Sequence, residues 1–223
     1  MQGKEIRVLI VDDDALARAT IARLLERADV GVQIRVVGEA ESGEEALEKV
    51  IAHRPDVVLM DIQMRNMDGI TATKKIREMP HAPEVIVVTV FDANDEAIRA
   101  AEAGAAGFLL KNDDPREFAR AVSNVAKGNG ALSARAAKQI LSFIAYEADN
   151  GNRRERERVL GLLSENELAV ARLVTAGKTN AEIAAERFVS ESTIKSQLAS
   201  IQAKLGIANR VLVAVEITKA GLA

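Results

Sequence analysis

The sequence contains no cysteine and no tryptophan, and it has only one tyrosine and four prolines among its 223 residues. Without cysteine, the chain can form neither a disulfide nor a metal site with thiolate ligands. No apolar run approaches the roughly 18 residues that a membrane-spanning helix needs, so we expect no membrane partner. The first residues enter an apolar strand at once and lack the hydrophobic segment of a secretory signal. These absences favour a cytoplasmic protein.

Charge is distributed unevenly along the chain. Residues 1–150 contain 19 basic and 25 acidic side chains, whereas residues 151–223 contain 11 basic and 8 acidic ones. This asymmetry predicts an acidic domain joined to a mildly basic one. The excess of three positive charges in the second part is too small to indicate nucleic-acid binding by itself.

Over about the first 125 residues, five apolar segments alternate with helical patterns. The segments are at 6–11, 35–40, 57–61, 84–89 and 107–111. Such alternation predicts a doubly wound α/β fold with a five-stranded parallel sheet, in the flavodoxin-like strand order 2-1-3-4-5. No glycine-rich phosphate loop follows the first segment, so nothing supports binding of a dinucleotide.

Polar side chains stand at the carboxyl ends of four of these predicted strands. Asp12 and Asp13 follow the first strand, Asp61 ends the third, Thr89 the fourth and Lys111 the fifth. In the order 2-1-3-4-5 these ends meet at one edge of the sheet. Taken singly, each residue has an ordinary explanation as a helix cap, a strand threonine or a surface lysine. The position of all of these side chains at one sheet edge favours a shared chemical role.

The predicted cluster contains the groups that phosphorylation of an aspartate requires. Crowded carboxylates repel one another, and a hard divalent cation such as Mg²⁺ relieves this repulsion. A carboxylate can act as a nucleophile toward phosphorus. Lys111 and the hydroxyl of Thr89 can then bind the phosphoryl group. We therefore predict a phosphorylation site centred on Asp61.

The first half resembles the receiver domain of two-component response regulators, in the stretches LIVDDD, VVLMDIQM with NMDG, VIVVTVFD and GAAGFLLK. The resemblance implies that Asp61 accepts a phosphoryl group from a sensor histidine kinase. It implies that Asp13, Asp61 and the backbone carbonyl of Gln63 ligate Mg²⁺, with Asp12 helping through water.

The resemblance also assigns roles to three further residues and shows one departure. It implies that Thr89 and Lys111 bind the phosphoryl group, and that Phe108 is the aromatic switch residue, which turns inward when the threonine moves. Arg65 stands four residues after Asp61, where a proline is usual in receivers. We expect this difference to affect the geometry of the loop.

From Leu163 onward the pattern changes to short helices without strands. Two capping boxes, 164–167 and 179–182, open successive helices. Ser190 and Gly206 are the expected start and stop of a third helix. This helix buries one stripe, formed by Ile194, Leu198, Ile201 and Leu205. Its other faces carry short polar or basic side chains, namely Ser192, Thr193, Lys195, Ser196, Gln197 and Lys204.

Two helices joined by a tight turn, the second with a small polar face, are typical of a helix-turn-helix that enters the major groove of DNA. A plain helical bundle or a dimerisation domain fits the same pattern. The stretches LSENELAVARLV, TNAEIA and VSESTIKSQLASIQAKLG resemble the LuxR-type helix-turn-helix of the NarL/FixJ subfamily. This resemblance favours DNA binding.

The resemblance places Thr193 and Lys195 on the recognition helix and makes Asn180 and Lys204 contacts to the DNA backbone. Ser192 and Gln197 complete the expected DNA-binding face. Two positions depart from the family: Asn166 replaces a common arginine, and Gln197 replaces a common histidine. Glutamine can pair with adenine, so the base preference is expected to differ if Gln197 reaches a base.

The last helical pattern carries Val211, Leu212 and Val215 on one side. The resemblance implies that this helix forms the dimer interface on DNA. Packing of Leu212 inside its own domain is an equally good explanation of the pattern.

We expect a receiver domain at 1–129, a helical linker and hinge at 130–158, and a LuxR-type helix-turn-helix domain at 159–223. The predicted function is that of a transcriptional regulator whose phosphorylation promotes homodimerisation and binding to paired half-sites in double-stranded DNA. We expect no enzymatic activity beyond its own phosphorylation and dephosphorylation.

Two alternatives remain. One is a DNA-binding protein whose receiver does not gate binding. The other is an aspartyl-phosphate phosphatase. It is less favoured, because such enzymes usually carry a second acid at the place that Gln63 occupies here.

Overall fold

The computed structural model describes residues 5–90, 96–133, 135–137 and 152–223. These residues form two compact units. The first joins the residues up to 90 with 103–131, and the second joins 96–102 with the residues from 132 onward. Most of the predicted linker lies outside the described residues.

The first unit is built on a sheet with the strand order β2-β1-β3-β4-β5-β6. The strands are β1 (Ile6–Val11), β2 (Ile34–Ala40), β3 (Val57–Asp61), β4 (Glu84–Thr89), β5 (Gly107–Leu110) and β6 (Ala131–Leu132). The five longer strands pair in parallel, and β1 lies between β2 and β3. The predicted fold class and the order 2-1-3-4-5 are therefore confirmed. The two-residue strand β6 was not predicted.

Helices cover both faces of this sheet. They are α1 (Ala15–Arg27), α2 (Gly43–His53), α3 (Gly69–Arg77) and α5 (Pro115–Ala126), while α4 (Glu96–Glu102) belongs to the second unit. Four of them begin after a side chain that accepts a backbone N–H from the first turn, namely Asp14, Ser42, Asp68 and Asp114. Such caps satisfy donors that a helix start otherwise leaves unpaired.

The strands are apolar on both faces because each face has its own core. In β1, Val8 and Ile10 pack with residues of α1 and α5, including Leu25 and Phe118. The alternate residue Leu9 packs on the other side with residues of α2 and α3, such as Val50. Burial on both faces explains the unbroken apolar runs in the sequence.

The second unit is helical from residue 152 onward. Its helices there are α6 (Asn152–Leu162), α7 (Glu165–Thr175), α8 (Asn180–Glu186), α9 (Glu191–Leu205) and α10 (Arg210–Lys219). Both predicted capping boxes are present, at the starts of α7 and α8. Ser190 caps α9, and Gly206 ends it with a φ of +70°. That left-handed conformation is easy only for glycine.

The predicted stripe of α9 lies in the core of the second unit. Ile194 and Ile201 are fully buried, and they pack with Val170, Ile183 and Ile217 from other helices of the unit. Within the described residues, no single helix has the length and apolarity to cross a membrane. The helices α9 and α10 have this length and apolarity only when taken together, and they are bent by 57° at the break between them.

Gly69 sits where no side chain fits. A Cβ added there would lie 1.8 Å from the carbonyl oxygen of Asp61. The Gly69 N–H also donates to the Ile62 carbonyl at 2.9 Å, which closes the loop after β3. Glycine at this position therefore lets α3 start directly against the end of β3.

We expect the change Gly69→Ala to destabilise the first unit by about 2–4 kcal/mol, because backbone must move to admit the methyl group. Denaturant unfolding of the full chain measures this loss. The control is Gly161→Ala in α6, where nothing lies within 4 Å of an added Cβ. That variant should be neutral or more stable by at most about 1 kcal/mol. Equal stability of both variants would contradict the steric explanation.

Candidate functional site

Three carboxylates meet at the edge of the sheet in the first unit. Asp12 and Asp13 follow β1 and Asp61 ends β3, and one carboxylate oxygen from each lies within 4.8 Å of the others. The neighbouring positions of β1 and β3 in the sheet bring these acids together. Asp12 and Asp61 are buried, whereas Asp13 is exposed. Three hard oxygen donors at this spacing fit a divalent cation such as Mg²⁺.

Lys111 bridges the two buried acids. Its Nζ lies 2.6 Å from Oδ2 of Asp12 and 3.0 Å from Oδ2 of Asp61. Burial of the ammonium works against its charge, but the hydrogen bonds and charges of both aspartates outweigh burial and raise the pKa of Lys111. Lys111 therefore stays charged and partly neutralises the cluster.

Asp61 resists ionisation despite this lysine. Burial raises the pKa of Asp61 to about 6 from an ordinary 3.8, and the negative charge of Asp12 adds to the increase. Lys111 and the backbone N–H of Gln63 act in the opposite direction. A second positive charge at the cluster would favour the ionised, nucleophilic form of Asp61.

Two of the other predicted residues, Thr89 and Phe108, lie on β4 and β5. Thr89 ends β4 and is buried, and its carbonyl accepts the Lys111 N–H at 2.8 Å. Thr89 therefore stands beside the strand end that carries Lys111. Phe108 is in β5, with its ring fully buried in this structure. Gln63 follows Asp61 in the exposed loop.

Two arginines also reach this cluster. Nη1 of Arg18 in α1 donates to the Asp12 carbonyl at 2.6 Å, and its Nε pairs with Glu39 at 3.2 Å. Arg65 places its Nε 3.9 Å from Oδ2 of Asp13. Sequence reasoning missed Arg18, because only the packing of α1 on the sheet brings it to Asp12.

The helix α9 of the second unit presents the predicted polar face. Ser192, Thr193 and Lys195 are exposed near its start. Gln197 is half-buried, and its Oε1 is buried without a hydrogen-bond donor among the described residues. A small polar face at the N-terminal half of a helix is what entry into the major groove requires.

Lys204, at the other end of α9, is paired inside the unit. Its Nζ donates to Oε2 of Glu167 at 2.6 Å, and Ser200 donates to Oε1 of the same glutamate at 2.8 Å. The bond from Lys204, followed by the bond from the Ser164 N–H, lowers the pKa of Glu167 to about 2. The capping box gave a signal for Glu167, but its bonds to α9 were not predicted.

Asn180 is also engaged inside the unit. It is only 3% exposed, and its Oδ1 accepts from Nη1 of Arg210 at 2.8 Å. Arg210 is buried as well and donates to the Lys178 carbonyl. Burial lowers the pKa of Arg210 to about 10, although Glu182 favours its charge. The arginine therefore ties the start of α10 to the start of α8.

Two further predicted positions have defined surroundings. Asn166 accepts a hydrogen bond from Arg187 at 3.1 Å. On α10, Val211 and Val215 are buried, and Leu212 is half-buried.

Family models match both parts of the chain. Residues 8–123 match the response regulator receiver domain, and residues 161–217 match the bacterial regulatory proteins of the luxR family. The chain is 36% identical over 210 residues to the transcriptional regulatory protein LiaR of Bacillus subtilis, covering 94% of this chain and 95% of LiaR.

Solved structures agree with these matches. The receiver domain of the putative response regulator NarL from Mycobacterium tuberculosis is similar with a TM-score of 0.52 and 38% identity, over 56% of this chain and 98% of that one. The response regulator RcsB of Salmonella typhimurium has a TM-score of 0.58 and 25% identity, over 96% of this chain and 97% of that one.

The raised pKa of Asp61 predicts a pH-dependent cost of folding. The folded-state value of about 6 exceeds 3.8, so the folded chain binds this proton more tightly than the unfolded chain. The cost of ionising Asp61 therefore appears as the pH rises from about 4 to 6, and it is complete above that range. In the absence of Mg²⁺, Asp61→Asn should stabilise the first unit by on the order of 1–3 kcal/mol near pH 7.5.

Calorimetric unfolding at about pH 7.5 and pH 4 checks this expectation, because the gain should largely vanish at the lower pH. Glu48→Gln, at an exposed position in α2, makes the same carboxylate-to-amide change where solvent screens the charge. It should follow the wild type at both pH values. A gain from Asp61→Asn that is independent of pH would contradict the burial explanation.

Proposed function

Because the chain belongs to the response regulators that join a receiver domain to a LuxR-family DNA-binding domain, we propose that phosphorylation of Asp61 by a sensor histidine kinase controls its dimerisation on DNA. The observation that carries the proposal is the convergence of Asp12, Asp13, Asp61 and Lys111 at one sheet edge. We assign 1–129 to the receiver, 130–158 to the linker and 159–223 to the DNA-binding domain of a cytoplasmic protein.

The proposed transfer uses Asp61 as the nucleophile. One of its carboxylate oxygens attacks the phosphorus of a phosphohistidine on the kinase, and the P–N bond breaks with its electron pair left on the histidine nitrogen. The carboxylates of Asp12, Asp13 and Asp61 and the carbonyl of Gln63 would hold Mg²⁺, which would offset the negative charge that gathers there.

Lys111 and Thr89 would recognise the product. Phosphorylation adds about −1.5 to −2 charge at Asp61, which gives the Lys111 ammonium a new anionic partner. The Thr89 hydroxyl would donate a second hydrogen bond, and Phe108 would repack as Thr89 moves. Each charged hydrogen bond contributes about 1.5–3 kcal/mol. Two such bonds approach the roughly 5.5 kcal/mol that shifts a population from 1:99 to 99:1.

The DNA-binding part of the proposal rests on α9. Its exposed residues Ser192, Thr193 and Lys195, together with Gln197, would enter the major groove. The Oε1 of Gln197 is buried in this structure and would have to turn outward before it could accept from an adenine amino group. Asn180 and Lys204 would contact the DNA backbone only after release from their partners, since Asn180 is buried against Arg210 and Lys204 is paired with Glu167 in this structure. These contacts and the modest positive charge of residues 151–223 favour two copies acting together on paired half-sites about one helical turn apart.

Dimerisation is assigned to α10. The residues Val211, Leu212 and Val215 would form the contact between copies on DNA. Since Val211 and Val215 are buried in this structure, they would have to become accessible before they could meet a second copy. Phosphorylation that exposes this surface would couple the two parts of the chain.

The first experiment measures oligomeric state and DNA affinity with and without Mg²⁺ and a small phosphodonor. Light scattering and labelled DNA suit this chain, which has no tryptophan. The donor should convert the wild type to a dimer that binds DNA at least about tenfold more tightly, a gain of about 1.4 kcal/mol. Asp61→Asn should not respond. Equal affinity in every condition would instead favour a receiver that does not gate binding.

A second experiment separates the two lysines of α9 on DNA selected in vitro with the wild-type protein. Lys195→Gln should weaken binding by about tenfold and lower the salt slope by about one, because a phosphate or base contact is lost. Lys204→Gln should have a smaller effect, because the charge of Lys204 is already paired with Glu167 at 2.6 Å. A larger loss of affinity for Lys204→Gln than for Lys195→Gln, in protein that remains folded, would show that Lys204 makes the stronger contact with DNA.

A further inference from the structure

Each carboxylate of the acidic cluster has a cationic side chain beside it. Lys111 contacts Asp12 at 2.6 Å and Asp61 at 3.0 Å. Its ammonium thereby serves both buried acids. Asp13 is the exposed member of the cluster, and its partner is Arg65, with 3.9 Å between Nε and Oδ2. Lys111 thus pairs with Asp12 and Asp61, and Arg65 pairs with Asp13.

The backbone of the loop determines where Arg65 stands. Met64 and Gly69 both donate N–H groups to the Ile62 carbonyl, at 3.2 Å and 2.9 Å, so the loop after β3 is short and closed. Asn66 follows Arg65 in the left-handed conformation, with a φ of +65°. The Arg65 side chain is 92% exposed, so its guanidinium reaches Asp13 from the solvent side.

We infer that Arg65 competes with the divalent cation for Asp13 and thereby raises the Mg²⁺ concentration at which the receiver binds the cation. The inference rests on the proposed function, since it takes the acidic cluster to be the Mg²⁺ site. A cation bound at Asp13 would share that carboxylate with a like charge only a few ångströms away. It would have to displace the guanidinium or tolerate its repulsion.

The expected size of the effect follows from exposure. An ion pair with a side chain so open to solvent is strongly screened, so Arg65 can weaken the binding of Mg²⁺ only modestly. We expect a factor of about three to ten in the dissociation constant at low salt. Added salt should reduce this factor, because it screens the repulsion between the guanidinium and the bound cation.

The test is a Mg²⁺ titration of the full chain, followed by NMR shifts of the backbone amides of residues 12–14 and 61–65. Arg65→Gln should bind Mg²⁺ about threefold to tenfold more tightly than the wild type. Arg65→Lys retains the charge and should stay closer to the wild type. The matched control is Arg35→Gln, which removes an exposed arginine paired with Glu5 at 3.7 Å near the start of β2, away from the cluster.

The outcomes separate this inference from the proposed function. If the wild type shows no shifts up to about 50 mM Mg²⁺, or if Asp13→Asn leaves the titration unchanged, the metal site itself is wrong and the inference is lost with it. If the wild type binds at Asp13 but Arg65→Gln has the same dissociation constant, only the role of Arg65 is overturned. A tighter constant for Arg35→Gln as well would assign the effect to net charge alone.

Discussion

The confinement of three carboxylates at one sheet edge is the constraint on which the first unit depends. Parallel pairing of β1 with β3 forces Asp12 and Asp13 against Asp61, and the cores on both faces remove water from Asp12 and Asp61. The protein offsets this charge with Lys111, yet the pKa of Asp61 remains raised. Such a cluster suits a divalent cation, because a bound cation replaces the repulsion between the carboxylates with attraction.

In the second unit, polar contacts hold α9 in place. The pair of Glu167 with Lys204 ties the carboxyl half of α9 to the start of α7. The buried Arg210 joins the starts of α8 and α10 through Asn180. These bonds are worth most where water is excluded, and they leave the amino half of α9 exposed for a partner. Rigid support behind an exposed face is what a DNA-reading helix needs.

Much of the candidate site could be predicted because strand ends are visible in the sequence. The apolar run of β3 stops at Asp61, and β4 stops at Thr89, so the sheet order alone brought these residues to one edge. The relation of Arg18 to Asp12, and that of Ser200 to Glu167, could not be predicted in the same way. Each depends on how a helix is rotated on its neighbour, which periodicity leaves undetermined.

The sequence by itself determined the alternation of strands and helices, the capping boxes at Ser164 and Thr179, and the buried stripe of α9, because all of these arise between residues a few positions apart. Only the tertiary structure decided that Lys204 bonds to Glu167, that Asn180 is buried beneath Arg210 and that the short strand β6 extends the sheet. These contacts join residues distant in sequence, and their geometry follows from the packing of whole elements rather than from local preference.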